Sequence, residues 1–512
     1  MSPMRDKSAS SQAATRRASN RTFARSRSRR LSRSRWRIKH GKKTFRSTER
    51  RVRRGRQTKQ VKRPLSILYV VHAFYPEAYT GTEKFVLNMA RTMQNKGHRV
   101  KVVTYSLEPV QQFPEALGEV AFRSYIYEGV PVIAYRHKQL DLKFPSFELG
   151  NADLLQFAEH MLLAEKPNLV HFGHAMRGME WMQNCVNMRI KYVVTLTDFW
   201  FLCPKSTLLQ NNESLCIGPA GGSNCSVHCL IPNVEQRIAG HVPLLQAASK
   251  VLSPSETVAQ LFRTNLPGFK VDVLPHGIQY EHIQVNQRTY GPDDAITLLY
   301  AGSLNPHKGV HLILQAMAHV PSERLRLKLY GSGPEYYTEQ LQLAAQQDVR
   351  VNFCGLYTEQ EIGQVYQDAD VAIVPSIWYE NYPLALHDAI ACQVPIIASN
   401  IGGMAEKIKD GHNGFTFRVG DAQHLAERIT AIVQQPQLLN GLKANLAQQQ
   451  LPAVNQEADQ YEQIYYDVTR PKKTSAKSKR RSRNRNRNRR QSRLRKNRTA
   501  TRNRLQSRRI RG

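Results

Sequence analysis

Residues 375–388 read Pro-Ser-Ile-Trp-Tyr-Glu-Asn-Tyr-Pro-Leu-Ala-Leu-His-Asp, the densest run of usable chemistry in the chain. Glu380 and Asp388 are carboxylates eight positions apart, about two helical turns if one helix carries both. Between them, Asn381, Tyr382, Pro383 and Leu384 read as a helix start. Pro383 falls near the first turn, where its missing N–H costs little. Free N–H groups there can meet an anion, and carboxylates beside them can accept from sugar or ribose hydroxyls. The plainer reading is two surface acids on a capped helix.

Other loops offer related chemistry. In Thr80-Gly81-Thr82-Glu83 the glycine lets backbone N–H groups approach a phosphate at a helix start. Thr80-x-x-Glu83 is equally an ordinary capping box. Gly302-Ser303-Leu-Asn-Pro-His-Lys308-Gly309 follows an apolar run, and a Lys there suits a diphosphate; a solvated loop lysine is the alternative. His174, in His171-Phe-Gly-His174, follows a strand and faces either a cleft or the core. Cys203, Cys216, Cys225 and Cys229 form a Cys-x12-Cys-x8-Cys-x3-Cys set in a Gly-, Pro- and Asn-containing loop. Four thiolates suit one closed tetrahedral zinc site; two disulfides or free thiols are the other readings.

The elements that must position these residues are legible from periodicity. Leu65–Val71 is a short apolar run, as a buried parallel strand requires. Glu83–Lys96 carries Val86, Met89, Ala90 and Met93 at helical spacing, with Gly97 at the closing cap. Val100–Tyr105 is the next strand, and Leu169–Phe172, Tyr192–Leu196 and Lys250–Ser253 continue the pattern. It restarts with strands at Ile296–Ala301, Leu325–Tyr330, Val349–Phe353, Val371–Pro375 and Val394–Ala398, and a helix at Val310–His319. The expected fold is α/β: two successive doubly wound, Rossmann-like domains, joined near the polar stretch Tyr280–Asp294.

Charge divides the chain differently. It has 512 residues and a formal net charge of +34. Residues 1–63 hold 24 Lys and Arg against two acids, and residues 470–512 hold 21 and no acid, so the body between is mildly acidic. Tails of this composition cannot bury enough apolar surface to offset chain entropy and are expected to be disordered. Their charge attracts polyanions by counterion release: nucleic acid, acidic polysaccharide or an anionic membrane surface. A spacer with no dedicated ligand is the competing reading. No run of about 18 apolar residues occurs, so no transmembrane helix is expected. The basic N-terminus lacks an apolar segment of the secretory kind, and the seven cysteines are an odd number. A reducing, cytoplasmic setting is expected, peripheral at a membrane or an assembled surface layer.

Taken in order, these motifs resemble the retaining glycosyltransferase family four across Leu65 to Tyr466. The carriers are Gly81-x-Glu83, Gly302 with Lys308-Gly309, Gly331-Ser-Gly333-Pro334, Ser376 to Leu384, Gly402-Gly403-x-x-Glu406 and Asp410-Gly411-x-x-Gly414. The resemblance implies a GT-B fold: an acceptor domain over residues 64–280, a nucleotide-sugar domain over 281–454, and a last helix, 455–470, returning to the first. It implies transfer of a hexose from a nucleoside-diphosphate sugar to a glycan or lipid-linked acceptor, with retention and no cofactor for catalysis. Lys308 and the N–H groups near Gly81 and Asn381 to Leu384 would face the diphosphate, Glu380 the sugar and Asp388 the ribose. Thr82, Gly302, Ser303, Gly331, Gly333, Tyr382 and Pro383 would complete the donor pocket, with His174 and Asp198 on the acceptor side. Lys308 and Glu380, in loops away from any apolar face, are expected to matter for transfer and not for folding. The chain departs from the family at Thr80, Thr197, Ser303 and Asp388. Ser303 and Thr197 keep a second class open: a polyanion-binding structural or coat protein with a degenerate transferase core.

Overall fold

The computed structural model describes residues 63–140 and 150–471. The expectations for the basic tails concern residues 1–62 and 472–512 and lie outside the described residues.

Two sheets organise the described chain. The first contains β1 (Ser66–Val71), β2 (Arg99–Tyr105), β3 (Glu115–Leu117), β4 (Val120–Tyr127), β5 (Val130–His137), β6 (Leu169–Phe172), β7 (Tyr192–Thr195), β8 (Lys250–Ser253) and β9 (Asp272–Val273). Its spatial order is β3-β4-β5-β2-β1-β6-β7-β8-β9. The second contains β10 (Ile296–Ala301), β11 (Leu325–Tyr330), β12 (Val351–Gly355), β13 (Val371–Val374), β14 (Ile396–Ser399) and β15 (Gly414–Phe417), in the order β12-β11-β10-β13-β14-β15. Every ladder of the second sheet is parallel.

The apolar runs are explained by burial on both faces. In β1, Leu68 and Val70 enter one core while Ile67, Tyr69 and Val71 enter another. In β10, Leu298 and Tyr300 face one core and Leu299 and Ala301 the other. The helix after β1, Gly81–Asn95, starts on the Thr80–Glu83 capping box and ends at Gly97, whose φ of +87° suits glycine.

Three features differ from the periodicity reading. β3, β4 and β5 form an antiparallel meander on the edge of the first sheet. β3 is only three residues long and Arg123 interrupts β4, while β5 does open with an apolar run over residues 130–135. β12 begins at Val351, not Val349, which is 95% exposed. Arg350 donates to the Asp348 carboxylate at 2.7 Å and pins a turn just before the strand. β14 begins at Ile396 because Val394 N–H still bonds to Ala389 O of the preceding helix, at 2.9 Å.

The last helix, Val454–Thr469, packs on the first sheet. A buried polar chain docks it. His171 bonds Tyr465 OH at 2.6 Å and Thr195 Oγ1 at 2.8 Å, and Thr195 Oγ1 bonds Tyr461 OH at 2.8 Å. At its start, Glu457 accepts from Gly277 N–H and pairs with His276, both at 2.8 Å.

Candidate active site

In an open parallel sheet, the loops leaving the strand ends diverge where the strand order reverses, and the crevice between them is a ligand site. The second sheet reverses between β10 and β13. The loop after β10 carries Gly302, Ser303 and Lys308; the loop after β13 carries Ser376 to Pro383. Gly309 brings them together: its φ is +69°, and a Cβ there would stand 2.1 Å from Pro375 O. Lys308 Nζ thereby reaches Glu380 Oε1 at 2.7 Å. The same oxygen accepts from Ser376 Oγ at 2.6 Å and Trp378 Nε1 at 2.9 Å. Burial alone would push the Glu380 carboxyl up. The Lys308 ammonium, with the bonds from Ser376 and Trp378, outweighs it and holds the carboxyl below its ordinary value.

Glu380 is therefore a buried ion-pair partner, 5% exposed, and not a loop acid free of the fold. Nor do Glu380 and Asp388 share a helix. The helix spans Leu384–Ala391 with Pro383 at its N-cap, so only Asp388 is helical. Asn381 beside Glu380 is also buried, and among the described residues its amide N and O both lack a hydrogen-bond partner. Buried amides are nearly always paired, so this one is available to a ligand or a water. Tyr382 donates to His276 O at 2.9 Å, tying the loop to the interdomain segment. Gly331, at φ +139°, and Gly333 let the loop after β11 touch the loop after β10: a Cβ on either would stand 1.8 Å from a carbonyl oxygen, of Gly302 and Leu304 respectively.

The first sheet reverses between β1 and β6, and there His72, just after β1, meets His174, just after β6, with rings 4.2 Å apart. His174 Nδ1 accepts from Met176 N–H at 3.1 Å, so Nε2 carries the proton and donates to Asp198 Oδ2 at 2.7 Å. Asp198 Oδ1 accepts from Trp200 N–H at 2.8 Å. Burial lowers the His72 ring well below its ordinary value, with His174 and Arg177 adding to the effect. Its Nε2 is 3.6 Å from Glu83 Oε1. Thr197 bonds Gly173 O at 2.9 Å and ties the Asp198 loop to the loop after β6.

The two crevices face one cleft. Gly81 at the start of one helix lies against Leu384 at the start of another, 3.5 Å from its added Cβ to Leu384 Cδ1. Thr82 sits half-buried in that first turn. A small pocket opens here, lined by Gly81, Lys84, His276, Leu384, Asp388 and Glu457 among others. Burial pushes the Asp388 carboxyl up to about 6 against the pull of the Lys84 ammonium, with Glu359 adding to the rise. Tyr379, next to Glu380, packs on Phe199, next to Asp198, with rings 6.3 Å apart.

Sequence reasoning missed His72, Lys84, Ser376, Trp378 and His276 as members of this site. Ser376 and Trp378 stood inside the quoted motif, and their spacing of four and two from Glu380 was a usable signal. His72 and His276 carry no local signal; only topology brings them in.

The four loop cysteines do come together, around one cavity also lined by Leu202, Pro219 and Ile231. All are free thiols. Burial pushes Cys225 up to about 12, and the nearby sulfurs of Cys203, Cys229 and Cys216 add to it. Among the described residues, no group of three or more His, Cys, Asp or Glu is drawn tightly enough to hold a metal ion as it stands.

Comparison with known proteins agrees with this layout. A model described as Glycosyltransferase Family 4 matches residues 79–282, and one described as Glycosyl transferases group 1 matches residues 284–449. The N-acetyl-alpha-D-glucosaminyl L-malate synthase of Bacillus anthracis is 28% identical over 398 residues, covering 75% of this chain and 93% of that protein. The lipopolysaccharide 1,2-N-acetylglucosaminetransferase of Salmonella typhimurium is 28% identical over 199 residues, 36% of this chain, which spans only half (50%) of that relative's length. The crystal structure of Anabaena HepE in complex with UDP and glucose superposes with a TM-score of 0.57 at 18% identity, covering 79% of this chain and 100% of that one.

Proposed function

The chain belongs to glycosyltransferase family four, a nucleotide-sugar-dependent group with the GT-B fold, and on that premise we propose that it transfers a hexose, with retention, to a hydroxyl of a glycan or lipid-linked acceptor. The observation that carries the reading is the Lys308–Glu380 pair at the β10/β13 reversal, beside the unpartnered Asn381 amide. As the donor bond breaks, negative charge grows on the leaving diphosphate. Lys308 and the N–H groups at Gly81, Asn381, Tyr382 and Leu384 lie where that charge develops, and preorganised donors lower the barrier most there. In this reading catalysis needs no metal cofactor. Glu380 keeps its second oxygen for a donor hydroxyl, Asp388 faces the ribose, and Gly302, Ser303, Gly331 and Gly333 form the floor that lets the donor approach backbone.

On the other side, Asp198 accepts the acceptor hydroxyl, and His174 fixes the carboxylate's orientation. No side chain is assigned as nucleophile; same-face attack assisted by the departing phosphate accounts for retention. The degenerate-core alternative gains nothing from Ser303 and Thr197. Ser303 uses its carbonyl to accept from Tyr300 OH at 2.7 Å, Thr197 makes its own loop contact, and the charged pair is intact.

Among the described residues no helix is long and apolar enough to cross a membrane. We assign the tails, outside those residues, to polyanion binding at a cytoplasmic membrane face or surface layer. Binding of the full chain to an anionic polymer should fall steeply as salt rises, and residues 64–470 alone should lose it. The central experiment is a melting-shift screen of nucleotide sugars on the full chain, beginning with UDP-glucose. At least one should raise the melting temperature and be turned over with an added glycan acceptor. No shift and no donor hydrolysis across UDP, GDP, ADP and TDP sugars would overturn the assignment.

A further inference from the structure

The segment between the Asp198 loop and the helix Val234–Gln246 is long and irregular, yet it is tightly folded. A single antiparallel bridge, Leu209 to Leu215, turns the chain back so that Cys216 N–H bonds Leu208 O at 2.8 Å. A short helix, Ser223–His228, then carries Cys225 inward and ends at Cys229. All four sulfurs end on the wall of one cavity. Of the eleven described non-glycine residues with left-handed φ, six lie in this segment: Ser206, Leu208, Glu213, Ala220, Leu230 and Asn233. Such backbone persists only where its surroundings over-determine it. Leu202, Leu208, Cys203 and Cys216 anchor the segment in the core of the first sheet, while Ile217, Val227 and Leu230 stay 74%, 68% and 79% exposed.

Two further observations concern charge. Backbone N–H groups of Leu208, Lys205 and Thr207 lie at the Cys203 sulfur, while burial, the larger effect, holds the thiol above its ordinary value. The guanidinium of Arg237 is fully enclosed, 1% exposed, lying 4.5 Å over the Trp200 ring and donating to Trp200 O. Its electrostatic neighbours are the Cys203 sulfur, the Asp198 carboxylate and the Cys225 sulfur.

We propose that Cys203, Cys216, Cys225 and Cys229 bind one zinc ion, and that this clasp fixes the Asp198–Phe201 turn at the cleft. Each thiol releases its proton to solvent, four Zn–S bonds form, and no electron is transferred. The complex carries a charge of −2, against which Arg237 sits. The sulfurs line the cavity wall without meeting at one point, because protonated thiols have no reason to converge; the ion supplies it. The clasp bears on the cleft through the backbone: Cys203 N–H bonds Phe199 O at 2.7 Å, Phe199 N–H bonds Ser206 O at 3.2 Å, and Trp200 stacks on His241 at 4.7 Å.

The test needs no knowledge of the donor or acceptor, so it stands apart from the transferase assignment. The full chain, made without added metal, should contain about one zinc per chain by elemental analysis. Protein made in cobalt medium should show thiolate-to-cobalt absorption. Cys229→Ser, at the most accessible ligand, should surrender its metal to a chelator about tenfold more readily while keeping the parent circular dichroism. Trypsin should cut after Lys205 in chelator-stripped protein and spare the loaded form. Four results would each overturn the site: less than about one-fifth of an equivalent of zinc with all four thiols reduced, iron with acid-labile sulfide in its place, disulfides among the four, or unchanged zinc retention in a Cys203→Ser/Cys225→Ser double variant.

Discussion

The two strand-order reversals occupy equivalent places in their sheets and hold opposite chemistry. At β10/β13 a full ion pair, Lys308 with Glu380, is locked by two further donors to the same oxygen. At β1/β6 the contact is between imidazole rings, one kept neutral by burial, and the carboxylate they lead to, Asp198, is 22% exposed at its side chain. In the proposed reading, one crevice holds fixed charge against a polyanionic leaving group and the other orients a neutral hydroxyl. Fold symmetry sets where each site lies, and the side chains divide the labour.

The largest effect should come from breaking the charged crevice. Lys308→Ala should cut turnover by on the order of 10²-fold. It should also lower the melting temperature, because Glu380 is left buried without its cation, a loss of about 3 kcal/mol. The double change Lys308→Met/Glu380→Gln separates the two roles: the melt should recover while turnover stays low. Recovered turnover in that double variant would remove the pair from the donor site.

The neutral crevice should respond differently. Asp198→Asn keeps the shape but weakens a charge-assisted acceptor, so transfer should fall on the order of tenfold. The donor-induced melting shift should be unchanged. An equal loss of donor binding would show that the crevices do not divide donor from acceptor.

Asp388 tests the border between them, with the smallest expected effect on rate. Asp388→Glu lengthens the carboxylate by one methylene, and turnover should stay within about threefold of the parent. Its titration gives a separate reading. Because the folded chain holds this proton up to about pH 6, it binds more protons than the unfolded chain between the ordinary value of 3.8 and 6. Its contribution therefore falls as pH rises through that window, by on the order of 1–3 kcal/mol. Melts of Asp388→Asn against the parent at pH 4 and pH 7 should show the variant gaining relative stability at the higher pH. A constant difference would refute the shift.

Much of this was legible in the linear chain, for a definite reason. Strands buried on both faces must be continuous apolar runs, so β1, β6, β8 and β10 announced themselves with nearly correct ends, and β11 did so by its alternation of Leu with Arg326 and Lys328. The β3–β5 meander did not: β3 is a three-residue edge strand and Arg123 interrupts β4, although the apolar residues 130–135 of β5 were a usable signal. Site residues inside one motif, such as Lys308, Glu380 and Asp388, could be named from spacing. The pairing of Lys308 with Glu380 could not, because it depends on the chain folding back across a separation of 72 positions. His72 and His276 had no local mark at all. The shared-helix reading of Glu380 and Asp388 failed because Pro383 starts the helix late.

The returning helix has a consequence for how this chain can be divided. The family models meet between residues 282 and 284, but the last helix, drawn from the far end of the chain, covers β1 through Tyr461 and Tyr465. The two chain crossings are also zipped together, with Ile278 N–H bonding Pro452 O at 2.8 Å and Val454 N–H bonding Ile278 O at 3.2 Å. A gene cut at the border between the modules would therefore not release two intact bodies. The leading fragment would emerge with an open apolar wound, and the trailing fragment would carry its bandage. Supplied separately, residues 454–469 should behave as a complementing peptide, restoring solubility to the leading fragment alone.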